Sequence, residues 1–196
     1  MKIVLASTNK GKIEEIRGLL QGLPVEVLTL DEFPEIELPP ETGSSFKDNA
    51  LVKARFVAEK TGCTALADDS GLQVEALGGR PGVRSARYAG EGATDRENNA
   101  KLLVALKDVP PGKRGARFVC AVALVEPSGA EETFEGQFEG EIGFEPRGED
   151  GFGYDPIFML SERGRTVAEL PPGEKNRISH RAEALAKLRE RLRRTG

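Results

Sequence analysis

An apolar run that ends in two adjacent carboxylates constrains this chain more than any other stretch. Residues 63–66 read Cys-Thr-Ala-Leu, which is typical of a buried strand, and residues 67–72 follow as Ala-Asp-Asp-Ser-Gly-Leu. Ligands of α/β proteins sit beyond the carboxyl ends of strands, where carboxylates can hold a hard cation. The same letters are also ordinary turn chemistry, because Asp and Ser bond their own backbone and Gly permits a positive φ. The fragment therefore predicts the end of a strand, followed either by a turn or by a ligand-binding site.

The two carboxylates are not equivalent. Successive side chains of a strand point to opposite faces, so Asp68 and Asp69 are predicted to do different jobs. One of them should face a site, and the other should be held by structural contacts.

Composition and charge favour one globular domain. The chain has 196 residues, of which 38% are hydrophobic and 31% charged, which fits a single domain with two lobes. No apolar run of 18 residues is present, and the run in residues 1–7 is too short for a signal peptide. The net charge of −4 argues against non-specific binding to nucleic-acid duplexes. We therefore expect a cytoplasmic protein with neither a membrane nor a nucleic acid as partner.

The cysteines and the histidine exclude two kinds of metal site. Cys63 and Cys120 both lie in apolar, strand-like segments, so buried free thiols are expected rather than zinc ligands or a disulfide. His180 is the only histidine, which excludes a histidine-rich metal centre.

The first forty residues contain a strand, a polar loop and a helix in that order. Residues 2–6 are apolar and β-branched, a polar loop follows to Lys12, and apolar residues then recur at helical spacing. This arrangement presents backbone N–H groups to an anion, although the loop is not a Walker A motif. A helix N-cap by Ser7, Thr8 or Asn9 explains the same residues without a ligand, and both interpretations stay open.

Turn residues and periodicity predict the remaining elements. They are a strand at 25–30, a helix from 43–46 to 61–62, a short strand at 72–77, a helix capped by Thr94 with Glu97, an antiparallel hairpin of strands 116–125 and 132–142, a short strand after 155–158, and a last helix capped by Ser179. A loop with Arg80, Arg84 and Arg87 could meet phosphates or form a solvated surface.

Six short motifs, in order over nearly the whole chain, resemble one family. They are Ser7-x-Asn9-x-x-Lys12; Glu41-Thr42-Gly43-x-x-Phe46 with Asn49-Ala50 and Lys53-Ala54; Ala67-Asp68-Asp69-Ser70-Gly71-Leu72; Gly78-Gly79-x-Pro81-Gly82 with Ser85-Ala86-Arg87-Tyr88; Gly151-Phe152-Gly153-Tyr154-Asp155-Pro156-Ile157-Phe158; and Ile178-Ser179-His180-Arg181. The chain resembles the inosine triphosphatase-like, Ham1-type family of purine nucleoside triphosphate pyrophosphatases, also described as XTP/dITP diphosphatases. One departure is Asp48, where the bacterial branch usually carries Glu, and its role stays open.

The resemblance implies a fold and an activity. The fold would be α/β, an elongated two-lobed mixed β-sheet flanked by helices, with residues 1–196 forming one domain around a central active-site cleft. The activity would be hydrolysis of the bond between the α and β phosphates of ITP, dITP and XTP. The products would be a nucleoside monophosphate and pyrophosphate, so that the enzyme cleanses the nucleotide pool. Mg²⁺ dependence and a homodimer are also implied.

The resemblance further implies a phosphate-binding half and a metal site. Phosphates would contact Ser7, Thr8, Asn9, Lys10, Gly11, Lys12 and Ser70. Glu41 and Asp69 would hold Mg²⁺, which takes one or two protein carboxylates and keeps several waters. Asp69 would also be the general base, because a carboxylate beside Mg²⁺ stays ionised and can orient a metal-polarised water. Asp68, on the opposite face, is expected to support the loop.

The second half of the chain would recognise the base. The residues implied are Phe152, Gly153, Tyr154, Asp155, Lys175, His180 and Arg181. Phe152 can stack on a purine ring. Hypoxanthine and xanthine carry an oxygen at the 6 position, where adenine carries an amine. His180 and Arg181 would donate hydrogen bonds to that oxygen, whereas the amine of adenine would leave the same donors unpaired and so be disfavoured. How GTP is excluded is not indicated by the sequence.

Two other functions use part of the same pattern. A nucleotide-binding regulatory module without catalysis would share Lys12, Ser7 and the aromatic pocket but would not need Glu41 or Asp69. A pyrophosphatase of the related Maf-type fold with another base preference is disfavoured by the Ser-His-Arg segment at 179–181.

Overall fold

The computed structural model describes residues 1–194, apart from the side chain of Pro172, and shows an α/β protein. The strands in this range are β1 (Lys2–Leu5), β2 (Glu26–Thr29), β3 (Thr64–Val74), β4 (Gly115–Val125), β5 (Glu131–Ile142), β6 (Phe158–Leu160) and β7 (Arg165–Thr166). The α-helices are α1 (Lys10–Leu20), α2 (Phe46–Thr61), α3 (Asp95–Ala105), α4 (Pro172–Ile178) and α5 (His180–Arg193).

Within the described residues the strands form one seven-stranded mixed sheet. Its order is β2-β1-β3-β4-β5-β6-β7. Strand β1 runs parallel to both β2 and β3, whereas β6 pairs antiparallel with β5 and β7. The predicted α/β class with a mixed sheet flanked by helices is confirmed.

The chain divides into two compact units. The first consists of Met1–Asp69, Cys120–Gly136 and the described residues from His180 onward, and the second of Ser70–Val119 and Gln137–Ser179. Strands β3, β4 and β5 contribute residues to both units. The single domain with a central cleft that the sequence suggests stays a prediction.

Alternate residues of the central strands enter two different cores of the first unit. One core contains strand residues Ile3, Leu5, Leu66, Cys120, Val122 and Leu124, packed with apolar residues of α1 and α5. The other contains Val4, Ala6, Ala65, Ala67, Ala123 and Val125, packed with α2. Strands that are buried on both faces read as continuous apolar runs, which is why the sequence pattern located them correctly.

The second unit has its own core around the ring of Phe158. That ring lies 4.5 Å from the ring centroid of Phe118 and 5.7 Å from that of Phe138. Leu102 of α3 and Leu106, which directly follows the helix, belong to the same core. Helix α3 is therefore fixed against the segment that precedes β6.

The strand end predicted after residue 67 is wrong, and so is the turn that was one of its two interpretations. Strand β3 continues without a break from Thr64 to Val74, so Asp68, Asp69 and Ser70 lie inside an eleven-residue strand and the separate strand at 72–77 does not exist. Residues 64–69 are all buried. A charged pair can occupy a buried strand when its charges are compensated, and the first unit supplies that compensation, as described below.

The predicted starts of α1, α2 and α3, the end of α2 and the hairpin are confirmed, whereas capping of α5 by Ser179 stays a prediction. Asn9 caps α1, Ser45 caps α2 at its start and Gly62 ends it at φ 63°, and Thr94 forms a capping box with Glu97. Neighbouring strands β4 and β5 are joined by a turn in which the N–H of Glu126 donates to the carbonyl of Ala130. Helix α4, by contrast, is not among the elements that the sequence predicts. No helix of the described chain has the length and apolarity needed to cross a membrane.

Candidate active site

Asn49 of α2 fixes the carboxylate of Asp69 in the first unit. Its Nδ2 donates to Asp69 Oδ2 at 2.9 Å, and its Oδ1 accepts from the backbone N–H of Gly43 at 2.7 Å. Because the N–H of Gly43 can only donate, the amide oxygen must face it, and the amide nitrogen must then face the carboxylate. The buried Asn49 side chain thus links the loop after Glu41 to Asp69 in one orientation.

Gly43 is required by this close approach. A Cβ atom added at Gly43 would lie 2.6 Å from Asn49 Oδ1 and 2.9 Å from the Cβ of Asp48. Asp48 itself accepts from the hydroxyl of Ser45 at 2.7 Å, and its backbone N–H donates to that hydroxyl oxygen. In this structure Asp48 therefore contacts Ser45, the N-cap residue of α2.

Lys53, one turn after Asn49 on α2, forms an ion pair with the carboxylate of Glu41. Its Nζ lies 2.6 Å from Glu41 Oε1 and 2.7 Å from the carbonyl oxygen of Asp68. Burial alone would lower the pKa of Lys53, but the negative charges around it, above all that of Asp68, hold the pKa above its ordinary value. Lys53 is thus a buried ammonium among carboxylates.

The environment makes Asp69 a stronger base than an exposed aspartate. Burial raises the pKa of Asp69, and the charge of Lys53 offsets this only in part, because the negative charge of Glu41 acts in the same direction as burial. A carboxylate with a raised pKa accepts a proton more readily. Glu41 and Asp69 therefore form an electrostatically coupled pair.

Asp68 faces different partners from its neighbour, as the alternation along a strand predicts. Its Oδ2 lies 3.2 Å from Lys12 Nζ, and Arg181 donates Nη2 to the same oxygen at 3.0 Å. Burial alone would raise the pKa of Asp68, but the charges of Lys12 and Arg181 hold it far below the ordinary value. Asp68 is therefore ionised at neutral pH and joins α1 to α5.

Arg181 is deeply buried in this cluster. Only 1% of Arg181 is exposed, and its Nη1 donates to Glu15 of α1. His180, the first residue of α5, is also buried. Both were expected to recognise the base, and those roles stay predictions.

The first polar loop contains the N-cap that the sequence allowed. The side chain of Asn9 accepts from the backbone N–H of Lys12 at 3.1 Å, and Ser7 Oγ accepts from the N–H of Asn9 at 3.3 Å. Thr8 and Lys10 are exposed. Phosphate binding by residues 7–12 stays a prediction alongside this structural role.

In the second unit, the Gly-rich segment brings together three of the expected residues. Asp155 Oδ2 accepts from the backbone N–H of Phe152 at 2.9 Å and from Lys175 Nζ at 2.6 Å. The same ammonium lies 4.3 Å from the centroid of the Phe152 ring. Tyr154 is buried and donates its hydroxyl to the carbonyl of Ser85 at 2.8 Å.

The expected site residues thus form two groups, one in each unit. The first unit contains Ser7, Thr8, Asn9, Lys10, Gly11, Lys12, Glu41, Asp69, His180 and Arg181. The second contains Ser70, Phe152, Gly153, Tyr154, Asp155 and Lys175. Their assignment as site residues stays a prediction.

In the arginine loop, Arg80 donates to the carbonyl of Leu77 and Arg87 pairs with Glu91.

The donor chemistry fits the expected metal. Glu41 and Asp69 offer carboxylate oxygens, the ligands that Mg²⁺ prefers, and Mg²⁺ usually takes only one or two protein carboxylates together with substrate phosphates. Among residues 1–194, no group of three or more His, Cys, Asp or Glu side chains is arranged to hold a metal.

Sequence reasoning missed the functional side chains that hold the carboxylates. Asn49 and Lys53 were named only as part of a family motif, without a role, and Glu15 was not named at all. A signal was present, because residues 49, 53 and 57 share one helical face and Val57 belongs to an apolar core. Polar residues on the buried face of a helix point to partners in the interior.

Comparison with known proteins agrees with this architecture. A model of the Ham1 family matches residues 3–191. The chain is 52% identical over 191 residues to a dITP/XTP pyrophosphatase of Geobacter sulfurreducens, covering 97% of this chain and 96% of that protein. It is 53% identical over 193 residues to a dITP/XTP pyrophosphatase of Pseudomonas aeruginosa, with 97% and 96% covered.

A solved structure is similar over the whole chain. The HAM1 protein from Coxiella burnetii superimposes with a TM-score of 0.91 at 48% identity, with 99% of each chain covered. The chain belongs to the Ham1 family.

Proposed function

We propose that this protein is a nucleoside triphosphate pyrophosphatase that acts on dITP, XTP and ITP and thereby cleanses the nucleotide pool. Relatives that are about half identical over nearly the full chain are named dITP/XTP pyrophosphatases. The single observation that carries the chemistry is the coupled carboxylate pair of Glu41 and Asp69, held by Lys53 and Asn49 on one face of α2.

Asp69 is the general base of the proposed reaction. Its carboxylate accepts the proton of a water molecule whose oxygen attacks the α-phosphorus, and the bond from the α-phosphorus to the bridging oxygen breaks. The products are a nucleoside monophosphate and pyrophosphate. Asn49 orients the carboxylate through Oδ2. Activation of a water by a positioned base is worth roughly two to four orders of magnitude in rate.

Positive charge is available for the phosphates. Lys12 lies at the start of α1, where the helix dipole favours anions, and Lys53 lies between Glu41 and the backbone of β3. Glu41 and Asp69 would hold Mg²⁺, which when bound neutralises charge on the triphosphate oxygens.

Base discrimination is proposed to rest on hydrogen-bond donors. His180 and Arg181 would donate to the 6-oxo group of hypoxanthine or xanthine, and Phe152 would stack on the purine. The 6-amino group of adenine would leave buried donors unsatisfied, which disfavours ATP.

We further propose that the enzyme acts in the cytoplasm, where nucleotide pools are used, and as a homodimer. Both proposals follow from membership in the Ham1 family. Analytical ultracentrifugation of the purified chain would test the dimer, and a sedimentation coefficient of a monomer at micromolar concentration would contradict it.

A substrate panel tests the activity. Orthophosphate is measured with malachite green for dITP, XTP, dGTP and dATP in the presence of Mg²⁺, with and without added inorganic pyrophosphatase. Signal from dITP and XTP is expected only with the added enzyme. Orthophosphate without it would show that a different bond is cleaved, and nucleotide binding without turnover would indicate a regulatory module.

Two variants accompany the panel. Asp69→Asn keeps the size of the side chain but removes the base, so turnover should be lost while the unfolding curve is retained. Asp31→Asn, at an exposed carboxylate, is the matched control and should keep full activity. A substantial rate for Asp69→Asn would remove Asp69 as the base.

A further inference from the structure

Two residues of α3 hold both polar groups of Gly153. Asp95 Oδ2 accepts from the backbone N–H of Gly153 at 2.7 Å, and Asn99 Nδ2 donates to the carbonyl of Gly153 at 3.1 Å. The two residues are four positions apart and thus lie one above the other on the same face of the helix. Gly153 itself has φ 63°, a left-handed conformation that favours glycine.

The two hydrogen bonds that Asp95 and Asn99 make with Gly153, which we call the clamp, act on the segment that carries the expected purine-stacking ring. Phe152 precedes Gly153, and its N–H is held by Asp155 at 2.9 Å. Lys175 lies over the Phe152 ring and contacts Asp155 as well. Once Gly153 is fixed on both sides, the backbone at Phe152 has little freedom, so the plane of the ring is set by α3 as well as by Lys175.

Helix α3 is a rigid support for such a clamp. Leu102 and Leu106 are fully buried in the core that also contains Tyr154 and Phe158. The capping box between Thr94 and Glu97 fixes the first turn, where Asp95 lies. The clamp therefore joins the Gly153 turn to an element that is anchored at both ends.

Asn99 is not placed for stability alone. It is 5% exposed, and its Oδ1 is buried without a hydrogen-bond partner among the residues that the structure describes. A buried acceptor that is left unsatisfied is unfavourable, and an apolar side chain would avoid that penalty. The neighbouring Asn98 is equally buried but satisfied on both atoms, since its Oδ1 accepts from Ala89 and its Nδ2 donates to the carbonyl of Ala86.

We propose that Asp95 and Asn99 are positioning residues for base recognition, which act through Gly153 to set the plane of the Phe152 ring. The inference rests on the proposed function, because it assigns the base-stacking role to Phe152. Neither residue touches the nucleotide. Their loss should weaken binding of the purine and the discrimination between bases, while the chemistry at Asp69 is left as it is.

The experiment compares Asn99→Ala with Asn98→Ala. Both remove a buried amide of α3. Asn98→Ala leaves two backbone partners without their hydrogen bond and Asn99→Ala leaves one, so the loss in melting temperature should be at least as large for Asn98→Ala. Only Asn99→Ala should raise the KM for dITP, by roughly two- to tenfold as expected for one weakened hydrogen bond, with kcat nearly unchanged. The ratio of kcat/KM for dITP over dATP should fall by a similar factor.

Asp95 provides a second test that does not depend on a buried site. Asp95→Asn keeps an oxygen that can accept from Gly153 and should retain the wild-type KM, whereas Asp95→Ala should raise it. Hydrogen exchange of the Gly153 amide should be faster in Asp95→Ala than in Asp95→Asn. Equal kinetics for Asn98→Ala and Asn99→Ala, or for the two Asp95 variants, would overturn the clamp. Wild-type protein that releases no pyrophosphate from dITP would instead overturn the proposed function.

Discussion

Arg181 donates two hydrogen bonds to a single oxygen of Asp68, from Nε at 3.3 Å and from Nη2 at 3.0 Å. Lys12 lies 3.2 Å from that same oxygen. The other oxygen, Oδ1, is buried and has no hydrogen-bond partner within the described part of the chain. Two cations from α1 and α5 thus share one carboxylate oxygen of β3.

Asp68→Asn should destabilise the first unit strongly. The variant keeps the shape of the side chain but leaves Lys12 and Arg181 with an uncompensated positive charge, and removing one partner of a buried ion pair costs about 3–5 kcal/mol. Urea denaturation measures the loss. Glu131→Gln, which removes the partner of Arg55 in an exposed pair, is the control and should cost much less. Equal losses of unfolding free energy for the two variants would show that the burial of Asp68 with Lys12 and Arg181 does not strengthen its contribution to stability.

The same carboxylate makes stability depend on acid pH. The pKa of Asp68 is held below its unfolded value of about 3.9, so its contribution is fully present above that pH and is lost as pH falls toward the folded pKa. The difference in unfolding free energy between wild type and Asp68→Asn should therefore be constant from pH 7 to about pH 5 and should shrink between about pH 4 and pH 2. A difference that stays constant down to pH 2 would contradict the depressed pKa.

Gly43→Ala should impair both stability and turnover. The added methyl group would lie 2.6 Å from Asn49 Oδ1, so the amide that orients Asp69 must move or the loop after Glu41 must shift. Misplacement of a catalytic group by 1 Å can cost roughly a hundredfold in rate. In Gly18→Ala, the added methyl meets nothing within 4 Å on α1, so this control should be neutral or stabilising by about 0.5–1 kcal/mol. Pyrophosphate release and thermal unfolding of both variants provide the comparison.

Lys53→Met should lower kcat and also destabilise the first unit, because it removes the cation of a buried ion pair. Methionine fills most of the same space but carries no charge, so Glu41 and Asp69 would repel each other without the ammonium between Glu41 and β3. A fall in kcat of roughly a hundredfold is expected from the resulting displacement. Lys60→Met, at an exposed position on the same helix, should keep the wild-type kcat. A similar kcat for the two variants would exclude a role for Lys53 at the carboxylate pair.

Local signals in the sequence predicted most of the fold. The buried strands, the ends of α2 and the capping box of α3 follow from apolar runs and from residues whose preference is local, such as Ser45, Gly62 and Thr94. Helix α4 was missed because Pro171-Pro172-Gly173 is a breaker pattern, although proline suits the first turn of a helix.

Long-range compensation explains the errors at the centre. The strand was predicted to end before Asp68 because Asp, Ser and Gly are ordinary turn residues. The partner of Asp68, Arg181, lies 113 residues later, and no local pattern reveals that contact. Lys53 was named only as part of a family motif, although its spacing from Asn49 puts it on the buried face of α2.

The discontinuity of the first unit has a consequence for synthesis of the chain on the ribosome. Asp68 emerges early, but Arg181 is made 113 residues later. Until α5 is available, a nascent chain that closes α1, α2, β1 and β3 holds Asp68 with Lys12 and Lys53 but without Arg181. The first unit can therefore complete its charge balance only after translation has passed through the whole of the second unit, which ends at Ser179, and has reached α5.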